Sequence, residues 1–246
     1  MSEPWARAAR RRRRQERETQ RRSPSGPAVG QEREASSVAP MFPLGTVLVP
    51  GMVLPLHVFE PRYRRMVDDS RTHHDGTFGV VLIERGSEVG GGDVRTDVGT
   101  LARIERAEEL PDGRWILGVV GIHRIRVERW LPDDPYPRAQ IYEWAEELRE
   151  PAEDAEETGD DRDEITILLR RAAALRREIG EPAPPLDLEL ADDPVVAGYQ
   201  AAVVAPLGPA DRQVLLAAPT VPARWRLLRA LLVDQIDLLQ ARLAAG

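Results

Sequence analysis

Residues 41–70 read MFPLGTVLVPGMVLPLHVFEPRYRRMVDDS, and the sequence outward from this stretch follows its pattern of short β-rich runs broken by turn residues. Thr46–Val49 predicts a strand and Pro50-Gly51 a turn. Val53–Val58 predicts a second strand, which Pro55 confines to a sheet edge or a bulge because proline offers no ladder N–H. Glu60-Pro61 then marks a helix start, with proline at the first helical position. Tyr63, Met66 and Val67 fall on one face of that short helix, which ends before Asp75-Gly76.

Downstream, the two-residue period continues. Phe78–Glu84 is a short apolar run of the buried-strand kind, and 86–93 is a glycine-rich loop. Val98–Ala107 and Arg114–Val120 flank Leu110-Pro111-Asp112-Gly113, a hairpin signal. Gly121 allows a bend into Ile122–Trp130, and Pro137–Trp144 supplies a last strand. The period then changes to 3.6. Ile165, Leu168, Leu169, Ala172, Leu175 and Ile179 share a stripe closed by Gly180. Asp193-Pro194 opens a helix carrying Val196, Tyr199 and Val203, and Gly208-Pro209 opens one with Val214 and Leu215. Pro222 opens the longest, where Trp225, Leu228, Leu232, Leu239 and Leu243 predict a packed seam. The expected class is α+β, with strands first and four helices after.

The opening stretch resembles the N-terminal, substrate-binding domain of Lon proteases. The resemblance rests on Phe42-Pro43-Leu44, on Pro50-Gly51 with Pro55-Leu56, and on Phe59-Glu60 with Arg62-Tyr63 and Met66. Phe78-Gly79-Val80-Val81, Val98-Gly99-Thr100, Leu110 to Arg114 and Gly121 to Ile125 extend it, so that it covers about residues 41–244. It implies a six-stranded PUA-like β pseudo-barrel with one short helix, followed by a C-terminal four-helix bundle. It also implies a role in gripping protein substrates. The motif residues themselves are expected to be architectural: Phe59, Tyr63 and Met66 fill core, and Glu60 and Arg62 pair or cap the helix.

Composition limits the chemistry. The 246 residues contain no cysteine, and every one of the 34 basic positions is arginine. Without cysteine there is no thiolate nucleophile or cysteine-ligated metal. Without lysine there is neither a Ser–Lys peptidase dyad nor a Walker A phosphate loop, the two machines that a full Lon protease appends to this domain. The expectation is therefore no enzyme and no cofactor. The chain should bind unfolded or exposed protein segments, as an adaptor or holding factor, with a separate ATP-dependent protease as a further partner. No apolar run approaches the ~18 residues of a membrane span, and no signal-peptide pattern is present, so a cytoplasmic, membrane-free protein is expected.

Charge divides the chain into expected segments. Residues 1–38 carry a net charge of +5 and the rest −12. The first 38 are an Arg-rich tail too polar to fold alone, and RNA or DNA binding through it is the alternative function. Residues 39–144 form the β-rich subdomain, 145–163 an acidic solvated linker, and 164–246 the helical subdomain, with 39–246 making one domain.

Candidate sites are few. His73-His74 lack a metal-ligand spacing, and adjacent histidines on a helix point apart. His57 and His123 fall in strands as scaffold residues. Gly90-Gly91-Gly92 has no following helix to aim N–H groups at phosphate, and the acids of 143–164 lack the fixed, buried pairing that glycosidase chemistry needs. Binding by shape remains, for which Trp130, Tyr136 and Trp144 are the expected anchors of a groove between the two halves.

Overall fold

Six of the period-two segments are strands. In the computed structural model, which describes residues 36–86, 94–148 and 161–245, they are β1 (Ser37–Leu44), β2 (Val53–Val58), β3 (Thr77–Arg85), β4 (Val94–Glu109), β5 (Trp115–Leu131) and β6 (Arg138–Glu143). All the described residues lie in one unit spanning Glu34–Gly246. The five described helices are α1 (Pro61–His73), α2 (Asp161–Glu178), α3 (Pro194–Val204), α4 (Pro209–Leu216) and α5 (Val221–Ala245). The class is α+β. The Arg-rich tail up to residue 35, the glycine loop at 87–93 and the acidic stretch at 149–160 lie outside the described residues.

The sheet runs β2-β5-β4-β3-β1-β6, and β6 also pairs with β5. Five strands therefore close into a ring, and β2 hangs on it. The device that allows this is the length of β5. Residues 115–126 pair with β4, while its other edge serves β2 along 115–120 and β6 along 125–131. Between them, around Gly121–Arg124, that edge of β5 forks. β1 and β3 run parallel, and the other pairings are antiparallel.

Apolar side chains of β1–β5 form the main core, and α1 packs against it; a second cluster draws on all five strands of the ring. Tyr63, Met66 and Val67 bury against Phe42, Phe78, Val80 and Trp115. Each such fully buried side chain contributes about 1.5–3 kcal/mol. Glu60 sits at the N-cap of α1 and makes no capping bond there. It pairs instead with Arg62, whose Nε lies 3.1 Å from Glu60 Oε2.

Several sequence expectations need correction. Thr46–Val49 is not a strand. The run before it, Ser37–Leu44, takes that place, and 47–49 is a buried connection. Its carbonyls are satisfied without a ladder: Leu48 O accepts from Thr100 Oγ1 at 2.6 Å and Val49 O from the Met52 N–H at 3.0 Å. β5 is continuous through Gly121 rather than broken there, with the irregularity taken up as a register shift opposite Leu101/Ala102. Phe59 is 52% exposed rather than core, because the chain turns into α1 just after it. Val214 and Leu243 are also exposed, although Trp225, Leu228, Leu232 and Leu239 form the expected buried row of α5.

Pro55 is on the edge strand, as its missing N–H requires. The Gly121 N–H donates to Met52 O at 3.0 Å, which makes Val53 and Val120 a non-hydrogen-bonded pair. By alternation, the backbone groups of Val53, Pro55 and His57 face the open side. The β1–β2 connection turns at Gly51, at φ +78°, and its N–H donates to Gly121 O at 2.8 Å.

Two outcomes follow. At Gly121 an added Cβ would fall on the Val49 carbonyl oxygen, a backbone atom with no room to retreat. Gly121→Ala should cost about 1–3 kcal/mol in urea denaturation. Burial, together with the hydrogen bond to Asp69, pushes the Tyr136 hydroxyl up to about 12. A raised folded-state value favours the native state below the ordinary value near 10 and stops doing so as pH rises toward 12. Urea midpoints should thus fall between pH 10 and 12, and fall less in Tyr136→Phe.

Candidate functional site

Arg124 leaves β5 at the fork and points toward the helices. Its side chain and that of Arg224 on α5 are both fully buried. One carboxylate, Glu146, lies between them: Arg124 Nε is 2.7 Å from Oε1, and Arg224 Nη2 is 2.7 Å from Oε2. Tyr199 on α3 donates its hydroxyl proton to Glu146 and accepts from Arg224 Nη2 at 2.8 Å. Arg124 also donates to the carbonyls of Leu216, Ala218 and Ala145, and Arg224 to that of Leu215. Backbone carbonyls near the end of α4 thus receive charge-assisted bonds, a favourable arrangement at a helix C-terminus.

The electrostatics follow from this packing. Burial lowers the affinity of Arg124 for its proton, and the nearby Glu146 and Tyr199 act in the opposite sense. Burial likewise raises the Tyr199 hydroxyl above the ordinary tyrosine range. Around the charges, Val47, Val49 and Leu82 of the β-half pack on Tyr199 and Leu216 of the helices. Trp144 covers the outside, with the guanidinium carbons of Arg124 and Arg126 at 4.0 and 3.8 Å from its ring centroid.

Beside this junction lies an open groove of about 530 Å³. One wall is the turn Pro50–Val53 at the start of β2, and the other is α3. Asp193 places α3 by capping it, accepting from the N–H groups of Val195 and Val196 at 2.9 Å. Val53 is 66% exposed, Val196 47% and Val203 38%, and all three line the groove, with Tyr199 between the two helical valines. Val196 and Val203 are seven residues apart and so share a helix face. Both valines are open to solvent, while Tyr199 between them is buried. Glu189 and Gln200 supply polar groups at the lining.

The three expected anchors do not make one site. Tyr136 belongs to the main core under α1 and donates to Asp69 Oδ2 at 3.0 Å. Trp130 packs beside Met41 and Ile125, with Arg95 over its ring at 4.7 Å. Trp144 alone stands at the junction of the two halves. Of the motif residues, Pro50 and Gly51 line the groove, Leu56 packs on the main core, and Phe42, Leu44, Tyr63 and Met66 lie within it.

Glu146 was hidden in a run of acids that reads as solvated linker. The sole sequence signal for it is its place two residues after Trp144, at the end of the last strand. His73, His74 and His123 come together around a separate polar cavity of about 400 Å³, where His123 Nε2 is 3.7 Å from Glu143 Oε2. Among the described residues, no group of three His, Asp or Glu side chains is placed to hold a metal ion. None of the described helices is long and apolar enough to cross a membrane.

Removing one partner from a buried ion cluster leaves the other charges uncompensated. Glu146→Gln should therefore cost about 3 kcal/mol in urea denaturation, whereas Asp163→Asn on the exposed surface of α2 should change little.

Comparison with known proteins agrees with the fold and its motifs. The profile of the ATP-dependent protease La (LON) substrate-binding domain matches residues 38–234. The Lon protease of Escherichia coli K12 is 30% identical over 216 residues, covering 85% of this chain and 26% of that protein. Lon protease 1 of Herpetosiphon aurantiacus is 25% identical over 206 residues, covering 80% and 24%. The chain thus spans about a quarter of the length of these relatives. Among solved structures, a Lon N-terminal domain protein from Xanthomonas campestris superposes with a TM-score of 0.53 at 27% identity, over 79% of this chain and 98% of that one. The N-terminal domain of a Mycobacterium avium complex Lon protease, at 21% identity and a TM-score of 0.52, shares the fold, with 80% and 99% covered. This chain belongs to the LON substrate-binding domain family.

Proposed function

We propose that the chain is a non-catalytic module that holds exposed apolar segments of other proteins in the groove between Pro50–Val53 and α3. The observation that supports this most is three valines on facing walls, left open to solvent beside a rigid junction. Concave apolar surface rimmed by a few polar groups is the usual form of a binding site. The β-half serves as the fixed wall, in keeping with a PUA-like pseudo-barrel, and the four C-terminal helices act as a bundle that supplies the other wall.

Cleavage and ATP hydrolysis are not part of this reading. A chain without lysine offers neither the dyad amine nor the phosphate-loop amine. A captured segment would be held, or passed to a separate ATP-dependent protease, in the cytoplasm. An unfolded partner loses conformational freedom on capture, so affinity should be modest, about micromolar to millimolar.

The test is fluorescence anisotropy with a permanently unfolded, carboxymethylated model protein. Wild type should bind, and Val196→Asp or Val203→Asp should weaken binding about tenfold, a loss of about 1.4 kcal/mol. Both variants should keep their urea midpoints, because these positions are open to solvent. Absence of wild-type binding below about 1 mM, or equal binding by the variants, defeats the proposal.

A further inference from the structure

We infer that the groove selects apolar segments flanked by a lysine or arginine, and that Glu189 is the group that reads the cation. The inference rests on the groove being the binding site. Glu189 is the one charged residue among those lining it, and it is exposed. Three acids of the neighbouring segments are already engaged. Asp192 pairs with Arg162 at 2.7 Å, Glu164 with Arg229 at 2.8 Å, and Asp193 caps α3. Glu189 makes no ion pair or hydrogen bond among the described residues.

The two neighbouring cations do not fill that role, and Arg162 is the one paired with Asp192. Arg170 lines the next cavity along with Glu189, but its Nη2 donates to the Leu188 carbonyl at 2.8 Å. This fixes the backbone just before Glu189, whose side chain borders both cavities and stays without an ion pair among the described residues. Gln200 provides the complementary polarity. Its Oε1 accepts from the Ala191 N–H at 2.8 Å, which leaves its amide N–H₂ as a donor suited to a peptide carbonyl.

Recognition by side chains also fits the adjoining edge strand. Pro55 removes a donor from the open side of β2, so an incoming strand would find its ladder interrupted at the centre. Residues 39–246 carry the chain's net negative charge, which adds a long-range pull on basic segments that salt screens.

Three fluorescent peptides sharing one apolar core, flanked by Arg, Gln or Glu, test this by anisotropy. Wild type should bind the Arg peptide about fivefold more tightly than the Gln peptide, as expected for one exposed ion pair, and the Glu peptide most weakly. Glu189→Gln should erase the Arg preference without weakening the Gln peptide, and Glu189→Arg should invert the order. Salt at about 0.5 M should compress the differences. If Val196→Asp weakens all three peptides while Glu189→Gln changes nothing, the groove stands and the cation reading is overturned. If Val196→Asp has no effect, the groove itself is the wrong site. A dimer in sedimentation that Val196→Asp dissolves would make the groove a self-interface and overturn the inference as well.

Discussion

The molecule depends on one carboxylate shared by two buried guanidiniums. Without Glu146, Arg124 and Arg224 would be like charges in a dry interior, a situation worth several kcal/mol of destabilisation. With it, three separate parts of the chain are held to one point: the fork of β5, the segment after β6, and α5. Tyr199 adds α3 to the same point. Carbonyls at 145, 215, 216 and 218 use up further donors, so the cluster is tied to backbone as well as to charge. Hydrophobic contact alone would let the helices slide on the β-wall, whereas directional bonds fix their angle.

The groove owes its shape to this fixation. Tyr199 has its hydroxyl in the ionic cluster and lines the groove as well. The opposite wall is held just as firmly, because the turn at Gly51 and Met52 exchanges backbone bonds with Gly121 on β5. A site built on rigid elements keeps its geometry before a ligand arrives, which spares part of the ordering cost of binding. The open valines need no rearrangement to meet a partner.

Much of the scaffold was legible in sequence because it is local. Pro61 and Asp193-Pro194 mark helix starts, Leu110 to Gly113 marks the long hairpin, and Pro55 marks an edge. The site was less legible because it is made by distant pairs. Arg124 and Glu146 each look solvent-borne within their own segment, the first in an alternating strand and the second in an acidic run. Only the fork in β5 turns Arg124 inward, and no local period reports a fork. The same reasoning explains Val196 and Val203, whose apolar spacing matches a core face although the neighbour that would cover it is absent among the described residues. Aromatic side chains suit anchoring and core filling alike, and Tyr136 is buried in the main core under α1.

The partners in the charge junction come from positions 124, 146, 199 and 224. On a growing polypeptide they are made in that order, and the last is 100 residues behind the first. The five-stranded ring can close once β6 exists. At that stage Val47, Val49 and Leu82 have no helical cover, and Arg124 lacks its helical partners. Ring and junction are therefore assembled at different times, and a newly made chain carries a temporary sticky face that the finished protein keeps shut.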